Sequence, residues 1–219
     1  MVWLGVDMGG TATRWVAVDA ADRVTAQGET PGATGLVFDS AARARFQAAL
    51  APVRARLGPL SGAYLGVTGA GFAADPALRA AASEALALPP ENLSIVNDMV
   101  LAWQAVWPQG GGHLVAAGTG SVGFSLQGGV TLIGGRGTLI DDAGSGAWIA
   151  LRALDALWRR IDEHGRPQGA EALAEALFTA LGGADWEVTR RFVYGQDRGA
   201  IGTLARPVAE AAHRGDPVA

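Results

Sequence analysis

The sequence contains no cysteine and no lysine, and each absence excludes a class of chemistry. Without cysteine there is no disulfide framework, thiolate nucleophile, zinc–thiolate site or iron–sulfur cluster, and a reducing cytoplasm is the expected location. Because all 17 basic residues are arginines, a P-loop, which needs a lysine on the phosphates, is excluded. No signal-peptide pattern and no uninterrupted run of 18 apolar residues is present, so neither secretion nor membrane spanning is expected.

The remaining composition is typical of a globular protein. The 219 residues are 49% hydrophobic, which is enough apolar material for one large domain or two small lobes. The net charge is −4 and the arginines are scattered, so we expect neither a nucleic-acid nor an anionic-membrane partner. The three histidines are isolated and have no partner at metal-ligand spacing.

Patterns along the chain predict an α/β fold. Three alternating stretches open the chain as a β-meander, and strands then alternate with helices that begin near Ser40 and at Asp75-Pro76. This order predicts a mostly parallel sheet covered by helices. The linker-like stretch 108–113 separates a first lobe, residues 1–110, from a second lobe, residues 111–219, which is helical from Asp142 onward.

Two glycine turns carry the first chemical signal. Gly9–Thr13 joins strand to strand, so it is not a Rossmann fingerprint, yet its backbone N–H groups and its threonine hydroxyls suit phosphate oxygens. Asp7 would repel a phosphate unless Mg²⁺, through its waters, bridges the two. The strand–turn–strand unit recurs at Gly118–Ser121, so two hairpins could close on one polyphosphate. The alternative for each is an ordinary β-turn.

Carboxylates follow the glycine turns at two places. Asp98 ends the strand LSIVN at the sheet edge where ligands bind, and it could accept the proton of an attacking hydroxyl during phosphoryl transfer. The alternative is that Asn97 and Asp98 cap the next helix. Asp141 and Asp142 could bind sugar hydroxyls or a metal, or a residue of this segment could cap the helix behind it. Arg136 is either a phosphate ligand or a surface arginine.

Taken in order, the motifs GVDMGGTATR, GVTGAG, IVND, AGTGS and GGRGTLIDDAGSGAW resemble the N-acetylglucosamine kinase and BadF-type ATPase family. This family is a branch of the actin-like ATPase superfamily, and the resemblance covers essentially the whole chain. It implies a two-lobed ribonuclease-H-like fold, ATP and Mg²⁺, and transfer of the γ-phosphoryl group to a hexose or amino-hexose. The oligomeric state is open, with a homodimer the commonest closed assembly.

The resemblance also implies roles for individual residues. Asp98 matches the catalytic base, and Asp7 matches the residue that organises Mg²⁺ through water. The first phosphate loop is matched by Gly9, Gly10, Thr11 and Thr13, and the second by Gly118, Thr119 and Gly120. The positions assigned to the sugar substrate are Gly69, Ala70, Asn97, Ser121 and Asp142.

The sequence departs from the family pattern in three ways. Ala143 stands where an acidic residue is usual, and an alanine near position 33 replaces the expected sugar-binding asparagine. Family members continue with further strands and an adenosine-binding Gly-Gly turn, so we expect an incomplete second lobe and a fragment of a longer kinase. Two other functions stay open: an ATPase that activates a dehydratase or reductase, whose relatives carry cysteines, and a non-catalytic binding or regulatory protein.

Overall fold

The computed structural model describes residues 1–219, which form two compact units. The first unit contains Met1–Gly112 and Leu126–Val130, and the second contains His113–Ser125 and Thr131–Ala219. The main division therefore follows the three consecutive glycines of the linker, all of which have positive φ angles, between 81° and 93°. Such angles favour glycine because a Cβ atom would clash with the backbone.

Five strands form the sheet of the first unit, in the order β3-β2-β1-β4-β5. Only the pairs β1–β4 and β4–β5 are parallel, whereas β2 pairs antiparallel with both β1 and β3. The sheet is therefore mixed, and the expectation of a mostly parallel sheet was wrong. The physical reason is that β1 to β3 are joined by short turns, which cannot cross over to a parallel neighbour. The strands are β1 Trp3–Met8, β2 Ala12–Val18, β3 Val24–Pro31, β4 Gly62–Val67 and β5 Leu93–Asn97.

Three helices complete the first unit: α1 Ser40–Leu57, α2 Pro76–Leu86 and α3 Asp98–Val106. The α1 cap is Asp39, the residue before Ser40, because the Asp39 carboxylate accepts a hydrogen bond from Ala42 N at 2.7 Å. Alternate β1 side chains are buried in one core with α1 and α2. They are Leu4, Val6 and Met8.

The second unit joins a small antiparallel sheet, order β6-β7-β8, to a group of helices. No strand follows β8, in agreement with the helical region predicted from Asp142 onward. Buried leucines of α4 and α5 form its core with Ile201 and Leu204. No helix of the chain is both long and apolar enough to cross a bilayer. The elements are β6 Leu114–Ala117, β7 Ser121–Ser125, β8 Thr131–Gly134, α4 Gly146–His164, α5 Glu171–Leu181, α6 Trp186–Gly195, α7 Arg198–Gly202 and α8 Ala205–His213.

Candidate functional site

The three parallel strands of the first unit end at one edge of the sheet. Met8 at the end of β1 pairs with Val67 of β4, and Val67 pairs with Asn97 at the end of β5. The residues that follow these strands are therefore brought together, although they are far apart in the sequence. Since β4 lies between β1 and β5, the turn after β1 and Asp98 after β5 are separated by two strand spacings, roughly 10 Å.

The turn after β1 has unused hydrogen-bond donors. Gly9 N donates to Ala12 O at 2.9 Å and closes the turn, whereas the N–H groups of Gly10 and Thr11 donate no hydrogen bond within the protein. Gly10, Thr11 and the preceding Asp7 are all exposed. Two backbone donors and the Thr11 hydroxyl are thus available to an anion, as the predicted phosphate loop requires.

The Thr13 hydroxyl is not available to an anion. Its side chain is 0% exposed, and its hydroxyl donates to Pro31 O at 3.0 Å. The hydroxyl therefore joins β2 to β3, and Thr11 is the threonine of this turn that presents an unused hydroxyl.

Gly32, for which the sequence predicted no role, packs against the turn after β1. Gly32 N donates to Thr11 O at 3.3 Å, and Ala33 N donates to Gly9 O at 3.1 Å. A Cβ atom on Gly32 would lie 2.5 Å from Gly10 O, so the two backbone segments pack closer than any side chain permits. Ala33, noted above as a departure from the family pattern, is buried in this contact.

Asn97 takes the capping role that the sequence left open for Asn97 and Asp98. Asn97 is the N-cap of α3: its Oδ1 accepts from Met99 N at 3.0 Å, and its Nδ2 donates to Ala70 O at 2.6 Å. Asp98 Oδ1 also accepts from Met99 N at 3.0 Å, but its Oδ2 accepts no hydrogen bond from the protein. One carboxylate oxygen of Asp98 is therefore available to a ligand.

The loop after β4 lies between these two sites. Gly69 has a φ of 76°, which glycine adopts without strain, and Ala70 is buried and receives the Asn97 hydrogen bond. Gly35 N donates to Thr68 O at 2.9 Å, so the segment after β3 contacts this loop as well as the turn after β1.

Gly66 allows α3 to approach the sheet closely. It lies opposite Asp7 in the β1–β4 register, and a Cβ atom there would lie 2.5 Å from Leu101 Cβ. We therefore expect Gly66→Ala to push α3 away from the sheet and to lower the free energy of unfolding by about 1–3 kcal/mol, as measured by urea denaturation. The control is Gly123→Ala in β7, where the new Cβ would meet Ile133 Cβ at an ordinary 3.4 Å. An equal loss of stability in the two variants would contradict the close packing of α3.

The glycine turn of the second unit has similar chemistry. Gly118 N donates to Gly120 O at 2.8 Å, and Gly118 O accepts from Gly146 N, also at 2.8 Å. The N–H groups of Thr119 and Gly120 donate no hydrogen bond within the protein, and Thr119 is exposed. Ser121 begins β7 and is half-buried. This turn is therefore also suited to an anion.

The two aspartates after β8 have different environments. Ser145 caps α4, since its Oγ accepts from Trp148 N at 3.2 Å, so neither aspartate is needed as the cap. Asp141 binds Arg136 through Oδ2 at 2.9 Å. Desolvation acts to raise the pKa of Asp141, but hydrogen bonds from Arg136 and from the Asp142 N–H, together with the charge of Arg136, hold the pKa below its ordinary value. Arg136 is thus engaged by Asp141.

Asp142 is the buried member of the pair. It is 1% exposed, has a left-handed φ of 56°, and its Oδ2 lies 3.5 Å from Arg198 Nη1. No group of three histidine, aspartate or glutamate side chains that could hold a metal is present.

Comparison with known proteins places this arrangement in a family. A sequence model of the BadF/BadG/BcrA/BcrD ATPase family matches residues 4–219, while a search of curated proteins found no match. A solved candidate N-acetylglucosamine kinase from Chromobacterium violaceum is 26% identical, with a TM-score of 0.69, covering 97% of this chain and 74% of the other. A candidate N-acetylglucosamine kinase from Porphyromonas gingivalis is 21% identical, with a TM-score of 0.73 and coverage of 98% and 74%.

A more distant structure shares the fold. A ROK family glucokinase from Streptomyces griseus, solved in complex with glucose and AMPPNP, is 19% identical, with a TM-score of 0.50 and coverage of 100% and 73%. This chain thus spans about three quarters of the length of these relatives. The likeness confirms the predicted actin-like ATPase fold, and the match over residues 4–219 shows that the chain belongs to the BadF/BadG/BcrA/BcrD ATPase family.

Proposed function

We propose that this protein transfers a phosphoryl group from ATP to a hydroxyl of a hexose or amino-hexose, with Asp98 as the general base. The observation that carries the proposal is the Asp98 carboxylate: helix α3 is already capped by Asn97, and Asp98 Oδ2 is unused at the sheet edge that also holds the Gly9–Thr13 turn. A carboxylate so placed can take the proton of an attacking hydroxyl.

The residues of the two glycine turns suit a nucleotide polyphosphate. Bound ATP would supply the phosphoryl group, and Mg²⁺ would supply the positive charge that lets phosphate lie near Asp7. The N–H groups of Gly10 and Thr11 would then donate to phosphate oxygens. We assign the same role to Thr119 and Gly120 in the second unit, on the same ground of unused donors.

In the first unit, we assign the sugar to polar groups near Asp98. Gly69 and Ala70 shape the loop next to Asn97, whose amide already has two protein partners and can orient a ligand only with its remaining hydrogen and lone pair. In the second unit, Ser121 offers a hydroxyl that can pair with sugar hydroxyls, whereas the Asp142 carboxylate assigned to the sugar from the sequence is 1% exposed and lies against Arg198. Two of the relatives named above as candidate N-acetylglucosamine kinases and one named as a glucokinase support a sugar acceptor.

Sugar-independent ATP hydrolysis is the second candidate function, because the matching family is described as one of ATPases. A kinase would transfer the phosphoryl group to a sugar hydroxyl, whereas an ATPase would transfer it to water. A protein that releases no ADP under any condition would be a binding or regulatory protein of the same fold.

A coupled assay of ADP release separates these functions. With ATP, Mg²⁺ and a panel of hexoses and amino-hexoses, we expect release only when one of the sugars is present, and a sugar phosphate as the second product. Release at the same rate without sugar would assign ATPase activity instead. Omitting Mg²⁺ is expected to abolish release, since the exposed Asp7 carboxylate would then repel the phosphates.

A further inference from the structure

The side chain of Arg198 lies beside the second glycine turn, 78 positions along the chain from Gly120. A Cβ atom built on Gly120 would lie 3.5 Å from Arg198 Nη1 and 3.1 Å from Asp142 Oδ2. The guanidinium and the Asp142 carboxylate therefore border the space that a side chain at position 120 would occupy. Gly120 lets the two charged groups approach the backbone of the turn.

Most of the guanidinium is not engaged within the protein. Its one contact with Asp142, at 3.5 Å, is long for a charge-assisted hydrogen bond, and the Arg198 side chain is 56% exposed. An arginine carries five N–H donors in a planar fork, so several donors are available to a second anion. The Asp142 carboxylate, in contrast, is 1% exposed and reaches no further partner.

Helix α7, which carries Arg198, is held in the same framework as the turn. A Cβ atom on Gly146 would lie 3.0 Å from Gly202 O at the end of α7, so α7 packs directly on the start of α4. Gly146 N in turn donates to Gly118 O at 2.8 Å. These two contacts join α7 to the start of α4 and the start of α4 to the turn, so the backbone of α7 is held near the turn.

We propose that Arg198 is the phosphate-binding cation of the Gly118–Ser121 turn, and that the phosphate competes with Asp142 for its guanidinium. The inference rests on the proposed function, since the anion would be the polyphosphate of the nucleotide. In a chain without lysine, an arginine beside unused backbone N–H groups is the available positive side chain for a phosphate oxygen. Planar guanidinium groups suit this task because they can donate two parallel hydrogen bonds.

A different role for Arg198 would produce a different pattern of mutant effects. If Arg198 served only to orient Asp142, removing either partner of the pair would have the same consequence. If Arg198 binds phosphate, Asp142 competes with the phosphate for the guanidinium, so the two substitutions affect phosphate affinity in opposite directions. The sign of the Asp142→Asn effect therefore distinguishes the two roles.

The test is isothermal titration of the full chain with sodium tripolyphosphate and, separately, with AMPPNP. We expect Arg198→Gln to weaken tripolyphosphate binding by about 10- to 100-fold, the effect of losing a hydrogen bond to a charged group. Arg198→Lys should recover part of the affinity, and Asp142→Asn should tighten binding. The matched control is Arg159→Gln, an exposed arginine of the second unit paired with Asp155 at 3.0 Å, which should bind like the unchanged protein.

The outcomes separate this inference from the proposed function. Equal tripolyphosphate affinity in the unchanged protein and in Arg198→Gln would overturn the role of Arg198 alone. Equal losses in Arg198→Gln and Asp142→Asn would also overturn it, because Arg198 would then act through Asp142. No binding of tripolyphosphate or AMPPNP by the unchanged protein would instead contradict the proposed nucleotide site.

Discussion

Replacing Asp98 with asparagine is expected to lower kcat for sugar phosphorylation by about 10²- to 10⁴-fold, the usual contribution of a general base. An amide cannot accept the proton of the attacking hydroxyl, so the hydroxyl would have to attack unassisted. Nucleotide binding should stay nearly unchanged, because the donors of the Gly9–Thr13 turn do not depend on Asp98. Steady-state kinetics of ADP release, together with AMPPNP titration, measure the two quantities separately.

The substitution is conservative for the fold. The asparagine Oδ1 can still accept from Met99 N, and α3 keeps its cap at Asn97. The control is Asp75→Asn at the start of α2, where the carboxylate accepts from Ala77 N and Leu78 N and the change of charge is the same. We expect this control to keep full turnover. Substantial phosphorylation by Asp98→Asn would exclude Asp98 as the base.

Replacing Gly32 with alanine is expected to weaken nucleotide binding by about 10- to 100-fold, although Gly32 lies outside the turn itself. The new methyl group would lie 2.5 Å from Gly10 O, and backbone cannot yield as a flexible side chain can. The turn must therefore shift, and the N–H groups of Gly10 and Thr11 would shift with it. The dissociation constant of AMPPNP is the measurement.

A loop glycine with space around it is the control for this prediction. In Gly71→Ala the new Cβ would meet nothing closer than Ala73 N at 3.8 Å, so binding should be unaffected. If Gly32→Ala bound AMPPNP as tightly as Gly71→Ala, then the turn after β1 would not supply the phosphate donors. If Gly32→Ala lowered the melting temperature but kept its affinity for AMPPNP, the same conclusion about the turn would follow.

Much of the local structure could be predicted because its causes are local. The Asp75-Pro76 start of α2, the alternating strands of the opening meander and the two glycine turns all depend on residues within a few positions of one another. The order of the strands in the sheet was less predictable. Strand β1 lies between β2, which follows it directly in the chain, and β4, which follows only after helix α1. A pattern of alternating strands and helices does not by itself exclude antiparallel neighbours.

In the candidate site, too, local features could be predicted from the sequence and contacts between distant segments could not. Sequence reasoning found Asp98, Asp142 and both turns from residue type and position, and the roles of these residues remain predictions. It also assigned Thr13 to the phosphate loop, whereas the hydroxyl of Thr13 is used by Pro31 O, 18 positions away. Hydroxyls that look alike in a motif differ in availability once strands pair.

The sequence by itself determined the kinds of chemistry open to this protein: arginine as the only basic side chain other than histidine, no thiol, and two glycine turns followed by carboxylates. Only the tertiary structure decided which groups support and complete those turns. Gly32 contacts Gly10, Gly66 receives Leu101, and Arg198 reaches Asp142 across 56 positions. Each of these acts through a close contact between distant segments, and such contacts depend on how the chain packs rather than on any local pattern.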